Sequence, residues 1–163
     1  MRYRLAIVWW LLAWAAGAWA ASGVQFVLPD LDGHEVSLRE ELAKGPVVLD
    51  FWATWCKPCL QALPALSQLA AEYRERGVQV LTINIDGPRN LPKIRPFLQR
   101  HQLQLRVLLD RTNQVMKQFQ LLAPPATLIL SADRGVVYSH EGYQPGDEAK
   151  LRAALDALLT SKP

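Results

Sequence analysis

Cysteine is almost absent from this chain. Among 163 residues there are two, Cys56 and Cys59, beside three histidines and two methionines. So few thiols exclude a disulfide-stapled scaffold, and half of the residues are hydrophobic, enough for one compact domain to hold itself together by its core. The histidines His34, His101 and His140 are scattered without ligand spacing, whereas a structural zinc site wants four ligands. Covalent haem would need His directly after the second cysteine, where Leu60 stands. Low-complexity tracts and internal repeats are also missing. The formal charge of +3 is small, and two of its positive charges, Arg2 and Arg4, sit at the extreme N-terminus. The remaining Lys and Arg are mixed with Asp and Glu, which gives a nucleic-acid partner little support.

The N-terminus carries the first positive signal. Two positive charges within Met1–Arg4 precede a continuously apolar stretch, Leu5–Ala16, and Ala18-Trp19-Ala20 offers a small-x-small cleavage site. This layout predicts a secretory signal peptide over residues 1–20, followed by one folded domain over residues 24–160. An uncleaved anchor is the alternative, although the apolar run from Leu5 to Ala21 falls just short of the roughly 18 residues of a spanning helix. No cysteine lies near the cleavage site to accept a lipid. In either case the domain is expected outside the cytoplasm, in a periplasm or on the outer face of the membrane, where disulfides persist.

Hydrophobic patterning predicts strands at Val24–Leu28, Val47–Ala53, Val78–Ile85, Val107–Leu109, Ala126–Leu130 and Val136–His140. Val47–Ala53 is nearly unbroken in its apolar run, as in a central strand covered on both faces. Helical spacing follows the cysteines from Leu60 to Tyr73, with a kink expected at Pro64 and a stop at Gly77. Further helices are expected over Leu91–His101 and Thr112–Phe119, and after a capping Asp147 through Leu159. The order implies an α/β fold, a mixed central sheet with helices on both faces and an N-terminal strand or hairpin extension.

The two cysteines form Cys56-Lys57-Pro58-Cys59. As a staple the pair would do little: closing a loop this short stabilises by about 2 kcal/mol, against nearly 5 for a loop of about 100 residues. Copper handling stays open, because thiolates bind Cu(I) well. A redox role makes use of each local feature. The pair follows a buried strand and opens a helix, so unpaired backbone N–H groups and the helix dipole stabilise a thiolate at Cys56. Lys57 adds positive charge, and Pro58 sits just inside the helix, where a missing N–H costs nothing. Cys56 would attack a substrate disulfide and Cys59, one turn on, would resolve the mixed disulfide.

The run Asp50-Phe51-Trp52-Ala53-Thr54-Trp55-Cys56-Lys57-Pro58-Cys59 resembles the thioredoxin superfamily, and its Phe-Trp-Ala-Thr-Trp-Cys-x-Pro-Cys phrase resembles the TlpA/ResA-like branch. The likeness extends over about Val24 to Leu159 and takes in Gly33, Leu38, Pro64, Gly77-Val78 and Pro125-Ala126-Thr127. It implies a thioredoxin-like fold, thiol–disulfide exchange with protein partners and no cofactor beyond the Cys56–Cys59 couple. It also implies that Pro125 is a cis-proline beside the cysteines, and that the residue before it docks substrate backbone. That residue is Pro124, which has no N–H to offer. Relatives of this kind often carry Glu three residues after the second cysteine, where this chain has Ala62. Asp50 instead occupies the buried-acid position of general thioredoxins. Its apolar neighbours should make it costly to ionise and fit it to exchange a proton with Cys59.

Trp55 is expected to shield the cysteines and meet partners, Trp52 to pack in the core, Gly87–Pro96 to form a solvated loop and His140 to lie on the surface. A peroxidase of the related peroxiredoxin group would place Thr three residues before its reactive cysteine, where Ala53 stands. By resemblance the protein works as a reductant, for example in cytochrome c or metal-site maturation, fed by a membrane thiol-reductant transporter. A copper-binding or assembly module on the same fold is the alternative. Nothing in the sequence suggests more than a monomer.

Overall fold

The computed structural model describes residues 23–133 and 135–161; the leader expected over residues 1–20 lies outside them. Strands β1 (Val27–Pro29) and β2 (Glu35–Ser37) form an antiparallel hairpin, followed by α1 (Leu38–Lys44). The main sheet is built from β3 (Val47–Trp52), β4 (Gln79–Asn84), β5 (Arg106–Leu109), β6 (Ala126–Ser131) and β7 (Gly135–Glu141). Its order is β5-β4-β3-β6-β7, with β3, β4 and β5 parallel and β6 and β7 antiparallel to their neighbours. Helices α2 (Lys57–Tyr73), α3 (Ile94–Arg100), α4 (Gln114–Gln118) and α5 (Asp147–Thr160) complete a mixed α/β fold.

The nearly unbroken apolar run at 47–52 has the cause expected of it. All six residues of β3 are buried, since the strand is central and covered on both faces. The loop to β3 needs Gly45: a Cβ there would lie 2.2 Å from the carbonyl oxygen of Gly77. Helix α1 is tied to the far edge of the sheet by buried Glu41, whose carboxylate accepts from Arg106 Nη1 at 2.8 Å and from Lys44 Nζ at 2.8 Å. On the other side Tyr73 donates to Asp156 Oδ1 at 3.0 Å and Arg76 stacks over its ring, joining the end of α2 to α5.

Several boundaries depart from the sequence expectation for local reasons. The first strand begins at Val27, not Val24, and ends where Asp30 folds the chain back by accepting the N–H groups of Asp32 and His34. Leu91–His101 is a 3-10 turn (Leu91–Lys93) followed by α3, so part of the expected Gly87–Pro96 loop is helical. Pro96 falls in the first turn of α3, where its missing N–H has no partner to lose. α4 starts only at Gln114, because Asn113 is left-handed and buried Asp110 accepts from Gln114 and Met116 N–H. α2 passes through Pro64 without interruption and gives way to a 3-10 turn, Arg74–Arg76, before left-handed Gly77 ends it. Asp147 is not the cap of α5: Gly146 holds that position and Asp147 is the first helical residue. No helix among the described residues is long and apolar enough to cross a membrane.

Candidate functional site

The carboxyl ends of the parallel strands β3 and β4 meet at Trp52 and Asn84, which are register partners. In open α/β sheets the crevice beyond strand ends like these is where chemistry collects. Here the chain leaves β3 through Ala53, Thr54 and Trp55 and enters α2 at Cys56. Cys56 is the N-cap residue, with extended backbone, and its sulfur accepts the N–H of Cys59 at 3.3 Å. That contact takes the place a capping oxygen would fill on the first turn of the helix. Lys57 is exposed and Pro58 follows it in the first turn. Cys56 and Cys59 are joined as a disulfide, with Cα atoms 5.2 Å apart. Cys56 is 5% exposed and Cys59 wholly buried, so an incoming partner reaches the first sulfur before the second. Trp55 stands 61% exposed beside them, whereas Trp52 is fully buried.

The loop carrying the cysteines is held by residues that sequence reasoning missed. Asp86 is fully buried and accepts the Thr54 N–H at 2.8 Å, the Thr54 hydroxyl at 3.1 Å and the Asn84 side-chain amide at 2.8 Å. Asn84 in turn accepts the Asp86 N–H at 3.0 Å. The signal was present in the sequence: Ile83-Asn84-Ile85-Asp86 alternates apolar and polar at the end of a strand that is otherwise buried.

The Pro124–Pro125 peptide bond is cis, as the resemblance implies. Pro125 is buried and its carbonyl accepts the Gly142 N–H at 2.8 Å, while Pro124 is half-buried. Asp50 lies mid-strand in β3, 2% exposed, and its Oδ1 accepts the Thr127 hydroxyl at 2.8 Å. Its Oδ2 has no partner among the described residues. Burial pushes the carboxyl up to about 7, against the opposing pull of the Thr127 hydroxyl. Asp50 and Thr127 line a cavity of about 40 Å³ with Ala62, Pro125, His140 and Tyr143. Cys59 is one turn before Ala62 on α2, the helix that forms one wall of this cavity, but does not itself line it. His140 is therefore not the surface residue expected of it: it is half-buried, lines this cavity, and its Nε2 lies 3.0 Å from Asp147 Oδ2.

Asp50 and the cis-proline Pro125 thus line one cavity, whose α2 wall belongs to the helix that the cysteines open. Among the described residues one other cluster offers three metal-ligating groups, Asp30, Asp32 and His34 at the β1–β2 turn. Its oxygens already serve the turn and Arg95, whose Nη2 donates to Asp32 Oδ1 at 2.5 Å.

Residues 21–139 match the AhpC/TSA family. The chain is 35% identical over 115 residues to the thiol-disulfide oxidoreductase ResA of Geobacillus kaustophilus, covering 71% of this chain and 64% of that protein. It is 28% identical over 123 residues to ResA of Bacillus thuringiensis, covering 76% of this chain and 69% of that one. A Chlorobium tepidum structure named as a thiol:disulfide interchange protein DsbE superposes with a TM-score of 0.76 at 29% identity, over 84% of this chain and 94% of that one. A strand-capped Cys-x-x-Cys disulfide, set on a thioredoxin-like sheet beside a cis-proline, accounts for these likenesses. The chain belongs to the AhpC/TSA family and is a thiol–disulfide oxidoreductase of the ResA/DsbE type.

Proposed function

We propose that the protein acts outside the cytoplasm as a dithiol reductant of protein disulfides, with the Cys56–Cys59 couple as its only redox group. Cys56 is the attacking sulfur. As thiolate it displaces one sulfur of the partner's disulfide and forms a mixed disulfide. Cys59 then gives its proton to Asp50 and attacks Cys56, releasing the partner as a dithiol while two electrons pass to it. Trp55 and the groove edge at Pro124 and Pro125 meet the partner. The charged leader and its cleavage motif support the location, and the likeness to ResA supports apocytochrome or metal-site cysteines as recipients and a membrane thiol transporter as donor.

One observation carries the direction of electron flow. A strong oxidant is one whose reduced form is stabilised, through many contacts to its thiolate. In the disulfide the Cys56 sulfur receives one hydrogen bond among the described residues, from Cys59 N–H, and Pro58 offers no second helix-start donor. These groups would give a Cys56 thiolate the N-cap bond and the helix dipole but fewer contacts than a strong oxidant supplies, which supports the reductant.

The test is the reduction potential of the couple, by equilibration in dithiothreitol or glutathione buffers. A value near that of thioredoxin, about −270 mV or lower, supports the reductant. A value near about −120 mV, that of a strong oxidant, reverses the direction. Anaerobic Cu(I) titration of the reduced dithiol separates the copper-module reading: tight stoichiometric binding favours it, and weak binding removes it.

A further inference from the structure

The proton that Asp50 would take from Cys59 has to leave a carboxyl that is sealed from solvent. The sheet register supplies a way out. Asp50 on β3 is the partner of Thr127 on β6, and Thr127 is the partner of His140 on β7. Register partners point to the same face, so the three side chains stand in one row across adjacent strands. Strands lie about 4.8 Å apart, which puts Asp50 and His140 roughly 10 Å from each other at the backbone. The gap is not filled with apolar atoms. Thr127 Oγ1 touches Asp50 Oδ1 at 2.8 Å, and the cavity of about 40 Å³ that all three line has room for a water molecule or two.

At the outer end, His140 Nε2 faces Asp147 Oδ2 at 3.0 Å, and Asp147 Oδ1 faces Lys150 Nζ at 2.8 Å. Asp147 is held down to about 2, chiefly by Lys150 and by the Gln144 N–H, and so stays ionised as an acceptor. At this distance Asp147 Oδ2 accepts Nε2–H, which leaves Nδ1 as the ring nitrogen able to accept a hydrogen bond. The other titratable groups at the cavity are Tyr138, Tyr143 and Glu148, and both phenols are pushed up by burial and so keep their protons in the neutral range. Helix α2 contributes only apolar residues there, Ala62, Ala65, Leu66 and Leu69. His140 is the one imidazole on the wall.

We infer that the row Asp50–Thr127–His140 is a proton path, with His140 as its exit. This inference rests on the reading of Asp50 as the acceptor of the Cys59 proton. The path returns the carboxyl to its ionised form as follows. Cys59 loses its proton to Asp50 as the Cys56–Cys59 bond forms and the Cys56–partner bond breaks. The proton then crosses the cavity to Nδ1, and the Nε2 proton passes to solvent while Asp147 stays ionised. The two electrons go to the partner's sulfur as the mixed disulfide breaks, and along the path only the proton moves.

The test is the resolution step in the full chain, followed by tryptophan fluorescence after mixing reduced protein with saturating oxidised glutathione. His140→Gln keeps a polar group on β7 but cannot shuttle a proton. The expected result is a resolution rate about tenfold lower at neutral pH, restored by added imidazole, with Asp50→Asn slow and not restored. Thr127→Val should resemble His140→Gln, and Thr127→Ser should stay near wild type, which separates the path from a folding defect. If Asp50→Asn is slow while His140→Gln matches wild type, the path is overturned and the reading of Asp50 stands. If Asp50→Asn itself matches wild type, that reading fails and takes the path with it.

Discussion

Replacing Asp50 by Asn should make the protein progressively more stable relative to wild type as pH rises from about 4 to 7. The carboxyl moves from 3.8 to about 7 on folding because burial penalises its charge. An acid whose folded value is raised keeps its proton in the native state while the unfolded chain has already lost it. Between about pH 4 and 7 the native state therefore binds more protons, so stability falls as pH rises through that window. At about 1.4 kcal/mol per pH unit the loss reaches about 4 kcal/mol and stays constant above pH 7. Asn keeps the oxygen that accepts the Thr127 hydroxyl and never ionises. Its amide leaves two buried donors unpaired, against one in the protonated acid, an offset that does not change with pH, so the pH-dependent part of the difference vanishes below about pH 4. The assay is urea unfolding of the oxidised proteins at pH 4, 5, 6, 7 and 8. The difference in unfolding free energy should grow by about 4 kcal/mol between pH 4 and pH 8. Parallel curves across that range would refute the claim that the native protein carries Asp50 as a costly buried charge.

Three further outcomes follow from the site and its supports. Cys59→Ala should accumulate a mixed disulfide through Cys56 with a partner or with glutathione, and Cys56→Ala should accumulate none; non-reducing gels and intact mass decide. Asp86→Ala strips the acceptor from the Thr54 N–H and leaves it buried, which should cost about 2 kcal/mol and speed hydrogen exchange at Thr54. An unchanged exchange rate would mean that Asp86 does not hold the cysteine loop. Gly45→Ala places a Cβ against the Gly77 carbonyl and should cost about 1–3 kcal/mol in thermal or urea unfolding, whereas Gly87→Ala, with open space around it, should be near neutral.

The parts of this molecule that the sequence displays most clearly are those where one strand or one motif decides the outcome. The six-residue apolar run at 47–52 could only be a central strand, and the Cys-x-x-Cys after it could only sit where strand turns into helix. Boundaries were less legible wherever a side chain from elsewhere ends an element. Asp110 takes the first N–H groups of α4, and no pattern within residues 112–119 reveals this. The site was half legible for the same reason. Asp50 stood out as a charge inside an apolar run, but its partner Thr127 lies 77 positions away, and His140 joins the row only through strand pairing. Reading β7 alone, His140 is one polar residue among several on an edge strand.

The two departures near the cysteines have a common structural consequence. Ala62 leaves the α2 wall of the cavity without a carboxylate, so the buried acid that lines it is Asp50, on the sheet, with Asp147 and Glu148 contributed by α5. An acid on an exposed turn of α2 could trade protons with solvent directly, whereas one in mid-strand cannot. Burial there raises the carboxyl to a value useful for accepting a thiol proton near neutral pH, and it also isolates the carboxyl. A strand acid therefore needs a second polar group to connect it to water. In this fold that group must stand on the same face, on a neighbouring strand, at the matching register. Thr127 and His140 meet those conditions. Pro124 affects the partner side of the site. If Pro124 meets the partner, as proposed, it offers a docked peptide no main-chain N–H, and contacts with exposed Trp55 and with Cys56 would then matter more. On that proposal the mixed disulfide would be the main hold on the partner, and resolution by Cys59, with the fate of its proton, would govern release.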